Sequence, residues 1–258
     1  MTAANKELVV HFYEELFRHG NLAAVDEFVG IDYLDHSPGF ADGPAAVRNV
    51  VTGIRSGHPG LSLTVERAIA EDDLVLLHTH AVLEPGTPGQ AIVSIYRVRD
   101  GKVVEHWGVT QRVPIRTASG NDMFSTLSSP RRQSPDPSAS TAESRRIAEA
   151  LFHEVTAGRD VTAFDRHAAD PYHRHTAHSP DGTGAAKDQF AWAFAANPEL
   201  NVSVQRVIAE GDYVAFHHHL RPNPHDPGSA VVDIFRVRDG KVVEHWDVVQ
   251  PVHGDAVF

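Results

Sequence analysis

The chain has no cysteine among its 258 residues, which excludes a disulfide framework, a thiolate metal site and a cysteine nucleophile. No apolar run approaches the ~20 residues that a membrane-spanning helix needs. Met1 to Lys6 lead into a helical pattern without the apolar segment of a signal peptide. Positive charge is also scarce. Only 23 Lys and Arg stand against 34 Asp and Glu, a formal net charge of −11, and a nucleic-acid surface would need a basic stripe. The expectation is a cytoplasmic protein that meets neither nucleic acid nor membrane.

What the chain does have is a long internal repeat. The eleven residues Arg97–Trp107 recur unchanged at Arg236–Trp246, an offset of 139 residues. The same offset carries Tyr33 onto Tyr172, His36 onto His175, and His78 and His80 onto His217 and His219. A repeat of this length is a whole small domain, much longer than a solenoid unit. Differences between the copies therefore carry information. Copy two has Asp233 and Asp247 where copy one has Ser94 and Gly108.

Each copy opens with apolar residues at helical spacing, Leu8, Phe12 and Leu16 or Ile147, Leu151 and Val155. Gly20 and Gly158 stand where the pattern stops, and Asn21 and Asp160 suit the cap of a short second helix. A loop through Asp42-Gly43 or Asp181-Gly182 leads to a third helix. From Leu61 and Leu200 onward the period changes to two, giving four strands per copy, the last two joined at Asp100-Gly101 or Asp239-Gly240. This predicts two α+β domains, 1–124 and 144–258, joined by a flexible Ser/Pro/Arg-rich connector over 125–143.

Three residue stretches carry a resemblance: Tyr33 to Gly43 (YLDHSPGFADG), the Ala-Glu-x-Asp turns at 70–73 and 209–212, and VVDIFRVRDGKVVEHWDVVQP at 231–251. They resemble the SnoaL-like branch of the nuclear transport factor 2-like superfamily, in particular its predicted aldol-condensation proteins. The resemblance implies a cone in each copy, three helices packed on a curved antiparallel sheet, with a pocket between the layers. It also implies cofactor-independent acid–base chemistry on small apolar molecules. Family members usually carry one such domain, so the tandem is a departure. It suggests an intramolecular pseudo-dimer of the repeats, and a further homodimer is compatible with it.

The expected catalytic set is Asp233, His245, His175 and Asp247. A three-residue loop at Arg238-Asp239-Gly240 sets Asp233 opposite His245 on one face, with Asp247 beside them; a two-residue turn sets Asp233 against Trp246, on the other face from His245. The sequence leaves that register open. An aspartate that orients a histidine is a suitable acid–base unit near neutral pH. His217, His219, Trp246, Tyr172 and Phe235 are the expected substrate-lining residues. A His-x-His strand supplies only two ligands, and no accompanying motif completes a metal site, so no metal is expected. The Asp181 carboxylate is expected to cap the third helix, and Arg97/Arg236 with Glu105/Glu244 to form cross-strand ion pairs. Copy one is expected to have a degenerate site.

Three functions remain. The first is a cyclase, isomerase or aldol-type enzyme acting on a carbonyl metabolite from the second domain. The second is an epoxide hydrolase or epoxide-opening cyclase. The third is a non-catalytic binding or structural tandem.

Overall fold

The structure, a computed structural model, describes residues 2–129, 133–252 and 258. The chain divides between Arg112 and Val113 into two compact units. In the first, α1 (Thr2–Tyr13) runs on through a π-helical turn to Arg18, followed by α2 (Ala23–Phe28), β1 (Val29–Asp35), α3 (Pro44–Gly57), β2 (Ser62–Glu71), β3 (Leu74–Val82), β4 (Gln90–Arg99) and β5 (Lys102–Arg112). The second repeats the order as α4 (Thr141–Thr156), α5 (Ala163–His167), β6 (Ala168–His175), α6 (Thr183–Ala196), β7 (Asn201–Glu210), β8 (Tyr213–Arg221), β9 (Ser229–Arg238) and β10 (Lys241–Pro251). The α+β cone expected from the sequence is present in both.

Each sheet has five strands rather than four, in the orders β1-β5-β4-β3-β2 and β6-β10-β9-β8-β7. The added strands β1 and β6 pair in parallel with β5 and β10, and the remaining pairs are antiparallel. Sequence signals for β6 are weak because Asp170-Pro171 interrupts it, and proline is tolerated in a sheet only at an edge or irregularity. The strand occupies the sheet edge, and its register with β10 shifts between Val242 and Glu244.

Helix α4 shows why the apolar spacing forms a layer. Ser140 Oγ accepts from the Glu143 N–H at its start (3.3 Å), and Ile147, Ala148, Leu151, Phe152 and Val155 are buried. That face packs on β7, β8 and β9, with Phe152 stacked on Phe216 at 4.4 Å. Asn21 and Asp160 accept from the Ala23 and Thr162 N–H groups as expected of helix-entry residues. Asp181 does not cap α6. Its Oδ1 takes the Arg174 N–H at 2.7 Å, tying the loop to β6, while Gly182 at φ 92° makes the turn into the helix.

The connector is tied to the second unit by hydrogen bonds. The division at Arg112 precedes the expected boundary at Phe124, and the described part of 113–140 is hydrogen-bonded to the second domain. Asn121 Nδ2 donates to Asp181, Trp246 Nε1 donates to the Ser125 carbonyl, and Asp136 N–H donates to Asp212. Residues 130–132 lie outside the described residues. Glu244, fully buried, accepts the Leu127 N–H (2.5 Å), the Ser128 N–H (3.2 Å) and the His175 ring (2.8 Å). In the first domain the matching Glu105 pairs with Arg97 (2.8 Å) and His36 (2.8 Å), whereas Arg236 turns to Asp212 (2.7 Å). The expected cross-strand pair thus forms in copy one, and copy two gives its glutamate to the connector. Glu244→Gln leaves a single acceptor oxygen for these donors. Amide exchange at Leu127 and Ser128 should then accelerate about tenfold or more, the loss of a hydrogen bond to a charged group, as read by hydrogen–deuterium exchange.

Candidate active site

The β9–β10 hairpin decides which side chains meet. Its turn is the two-residue Asp239-Gly240, both at positive φ (50° and 75°), the twist that suits a tight hairpin. Arg238 pairs with Lys241 and Val237 with Val242, the register that sets Asp233 and His245 on opposite faces if continued. It is not continued. An extra residue, Val243, bulges between Val242 and Glu244, and beyond it His245 pairs with Phe235 and Asp247 with Asp233. A bulge shifts register by one and so exchanges the faces of everything after it. Asp233, Phe235, His245 and Asp247 consequently share one face, with Asp247 rather than His245 directly opposite Asp233.

That face lines a cavity of about 240 Å³ in the second domain. Its walls are mainly apolar, including Leu151, Phe152, Phe190, Phe194 and Val231 from α4, α6 and β9. At its polar end Asp233 Oδ1 accepts from His245 Nε2 and Oδ2 from His218 Nε2, each at 2.7 Å. Burial alone would push Asp233 up, but the hydrogen bonds and charges of the two histidines outweigh it and hold the carboxyl well below the usual range. Asp247 has no such partners: its Oδ1 is buried and makes no hydrogen bond among the described residues. Burial, reinforced by the neighbouring Asp233 charge and opposed by His245 and Arg174, pushes it up to about 6. One carboxylate is thus held ionised while the other is poised near neutrality, a separation typical of acid–base sites.

Of the expected residues, Asp233, His245, Asp247, Tyr172 and Phe235 line the cavity. The other four lie elsewhere. His217 and His219 point to the opposite face of β8, His217 toward Arg206 (3.1 Å) and His219 to the Pro227 carbonyl (2.7 Å). Burial and the Arg206 charge hold His217 down at about 3. His175 and Trp246 pair across β6 and β10 on that same opposite face and stack at 5.0 Å. His175 is fully buried between the Asp122 carbonyl and Glu244, so it polarises no substrate in this cavity.

Two titratable cavity residues, His218 and Arg174, stand outside the expected set. His218 lies on the opposite face of β8 from His217 and His219 and is copy-specific, replacing Thr79 of copy one. Arg174 shares the inward face of β6 with Tyr172 and pairs with His245; without β6 its orientation has no signal.

Asp233, His245 and Asp247 offer ligand atoms within 4.8 Å of one another. Both Asp233 oxygens already accept a hydrogen bond, one from His245 and one from His218.

The first domain arranges the same positions differently. Thr79 and Ser94, the counterparts of His218 and Asp233, are buried. His106 faces Asp35 at 3.3 Å, and Tyr33 donates to Asp35 at 3.0 Å. A Cβ on Gly108 would stand 2.8 Å from Ser37 Oγ, so the counterpart of Asp247 does not fit unless the Ser37 side chain moves.

Residues 7–118 and 146–253 each match the family model of SnoaL-like polyketide cyclases. Among curated proteins none matches the chain. Solved structures with a similar fold include TsrD from Streptomyces laurentii (18% identity, 42% of this chain and 89% of that one, TM-score 0.37). IdmH from Streptomyces antibioticus is similar at 22% identity over 42% of this chain and 91% of its own (TM-score 0.36). A SnoaL-like protein of unknown function from Burkholderia thailandensis is 17% identical, covering 45% and 99% (TM-score 0.38). Among the described residues no helix is long and apolar enough to cross a membrane.

Proposed function

The chain belongs to the SnoaL-like polyketide cyclase family, and from that premise we propose that its second domain is a cofactor-independent acid–base enzyme for a small, largely apolar carbonyl compound. The reaction class is cyclisation, isomerisation or aldol-type carbon–carbon bond formation. The observation that carries this reading is the pairing of Asp247, poised near pH 6, with the ionised Asp233 in an apolar cavity.

Asp247 acts as the base. Its carboxylate removes a proton from the carbon beside the substrate carbonyl, the C–H electron pair moves into the new C=C bond, and negative charge collects on the carbonyl oxygen. Protonated Asp247 then returns the proton to another position, or the enolate carbon attacks a second carbonyl. Asp233 is a positioning residue. It holds His218 and His245 in place, and its charge raises the basicity of Asp247. The first domain, with its different Asp35–His106 pair, takes no part in this step.

Epoxide opening ranks second. Asp247 suits the acid that protonates the epoxide oxygen, but Asp233, hydrogen-bonded by His218 and His245 and held well below the usual carboxylate range, is a weak base for activating water.

The test is proton exchange. In D2O, across a panel of aryl ketones and 1,3-diketones, the protein should catalyse deuterium incorporation at the carbon beside the carbonyl, read by 1H NMR. Its kcat/KM should rise with pH through about 6, where Asp247 loses its proton. Exchange that is independent of pH between 5 and 7, or unaffected by loss of Asp247, would overturn the assignment.

A further inference from the structure

Arg174 is the one charged group of the cavity that the mechanism above leaves unused. It is 2% exposed and lies on the cavity wall. Its Nη2 donates to Gln189 Oε1 at 2.7 Å, and Gln189 is held in turn by Ser179 Oγ at 2.8 Å. Its backbone N–H is fixed by Asp181. The side chain is therefore anchored at one nitrogen and at its own main chain. Nε and Nη1 are both buried and have no hydrogen-bond partner among the described residues.

Those two donors need an explanation. Arginine stays charged at every relevant pH, and a buried charge without a paired anion is costly. Among the described residues its one direct acceptor, Gln189, is neutral. Asp247 feels the Arg174 charge but forms no ion pair with it among the described residues. In copy one the position is Asp35, so the cation is peculiar to the domain that holds the cavity. Arg174 is also paired with His245 across β6 and β10, which sets its side chain on the same face as the Asp233–His245–Asp247 group.

We propose that Arg174 is an anion-recognition residue, and that the substrate of the second domain carries an ionised oxygen group, a carboxylate or an acidic enolate, close to its reacting carbon. Arg174 takes that oxygen on Nη1 or Nε, and the apolar remainder of the molecule lies against Phe152, Phe190 and Phe194. A charged guanidinium forms strong, directional bonds to such oxygens. It also stabilises the negative charge that proton removal places on the carbonyl oxygen. This deepens the acid–base reading, on which it rests for the identity of the reacting carbon, but its test reads binding alone.

The probes are 4-phenylbutanoate, its methyl ester, and benzoylacetone, which ionises as an enolate without a carboxylate. Binding is measured by calorimetry at pH 8 for the full chain and for Arg174→Met, which keeps the apolar stem of the side chain. The wild type should bind 4-phenylbutanoate at least about tenfold more tightly than the ester, the scale of a hydrogen bond to a charged group. In Arg174→Met that preference should vanish while ester affinity stays within about twofold, which separates loss of the cation from collapse of the cavity. Tight binding of benzoylacetone that is also lost in Arg174→Met assigns the site to enolates as well as carboxylates; binding of the butanoate alone assigns it to carboxylates. Equal affinity for acid and ester in the wild type, no binding of either at millimolar concentration, or a preference unchanged in Arg174→Met would overturn the proposal. Loss of catalysed deuterium exchange with anion preference intact would strike the acid–base reading and leave this one standing.

Discussion

Replacing Asp247 by Asn is expected to remove catalysed proton exchange and, at pH 7.5, to make the protein more stable. Both effects come from one cause. In the folded chain burial, with the Asp233 charge beside it, lifts Asp247 from an ordinary 3.8 to about 6. Between those values the folded protein holds a proton that the unfolded chain has released. Stability therefore falls as pH rises from about 4 to about 6 and stays at the lower level above it. A shift of this size corresponds to at most about 3 kcal/mol. Asn has no proton to lose, so the variant should gain about 1–3 kcal/mol at pH 7.5 and nothing at pH 4. Removing a general base costs about 10²–10⁴ in rate. Urea unfolding at the two pH values, together with the exchange assay, checks both halves. A variant less stable than the wild type at pH 7.5 would show that Asp247 is held as a partnered structural carboxylate.

Asp233 should behave in the opposite sense. Burial works against its ionisation, yet His218 and His245 hold it ionised far into acid. Its contribution to stability is accordingly full above its ordinary value of 3.8 and is lost as pH falls toward its depressed folded value. Asp233→Asn leaves one acceptor oxygen for two imidazole donors, and breaking a buried charged network costs about 3 kcal/mol. The gap between wild type and variant should be widest near neutrality and narrow steadily in acid. The kinetic consequence is separate. Without the neighbouring anion Asp247 becomes more acidic, so the rising limb of kcat/KM should move to lower pH. A variant as stable as the wild type at pH 7, with its limb unmoved, would dissolve the His218–Asp233–His245 group as a functional unit.

The repeat made the fold legible. Two copies of one pattern, helical period first and strand period afterwards, allow few arrangements other than the paired cones. Comparing the copies also led to Asp233 and Asp247, since a polar residue gained in one copy is explained by something only that copy does. The same comparison reaches His218 through Thr79, but the shared His-x-His spacing drew attention to His217 and His219 on the other face of β8. Parity on a strand turns on a single residue. The Val243 bulge, which no residue type at 241–244 announces, returned His245 to the face of Asp233 after a two-residue turn had separated them. Strand β6 was hidden by Asp170-Pro171, and with it went the alternation that directs Arg174 inward and His175 outward. The connector's contacts were hidden for a different reason. Its Ser- and Pro-rich composition has no period, but Glu244 and Asp212 anchor its backbone N–H groups from 76 or more residues away in sequence.

The central claim is that two facing aspartates of one cavity sit in opposite protonation regimes. It is tested most directly by following the side-chain carboxyl carbons of 13C-labelled aspartate by NMR from pH 3 to pH 8, with Asp233→Asn and Asp247→Asn supplying the assignments. The account predicts that Asp247 titrates near 6 while Asp233 remains ionised throughout. Titration of both carboxyls together near the ordinary value of 3.8 would contradict it.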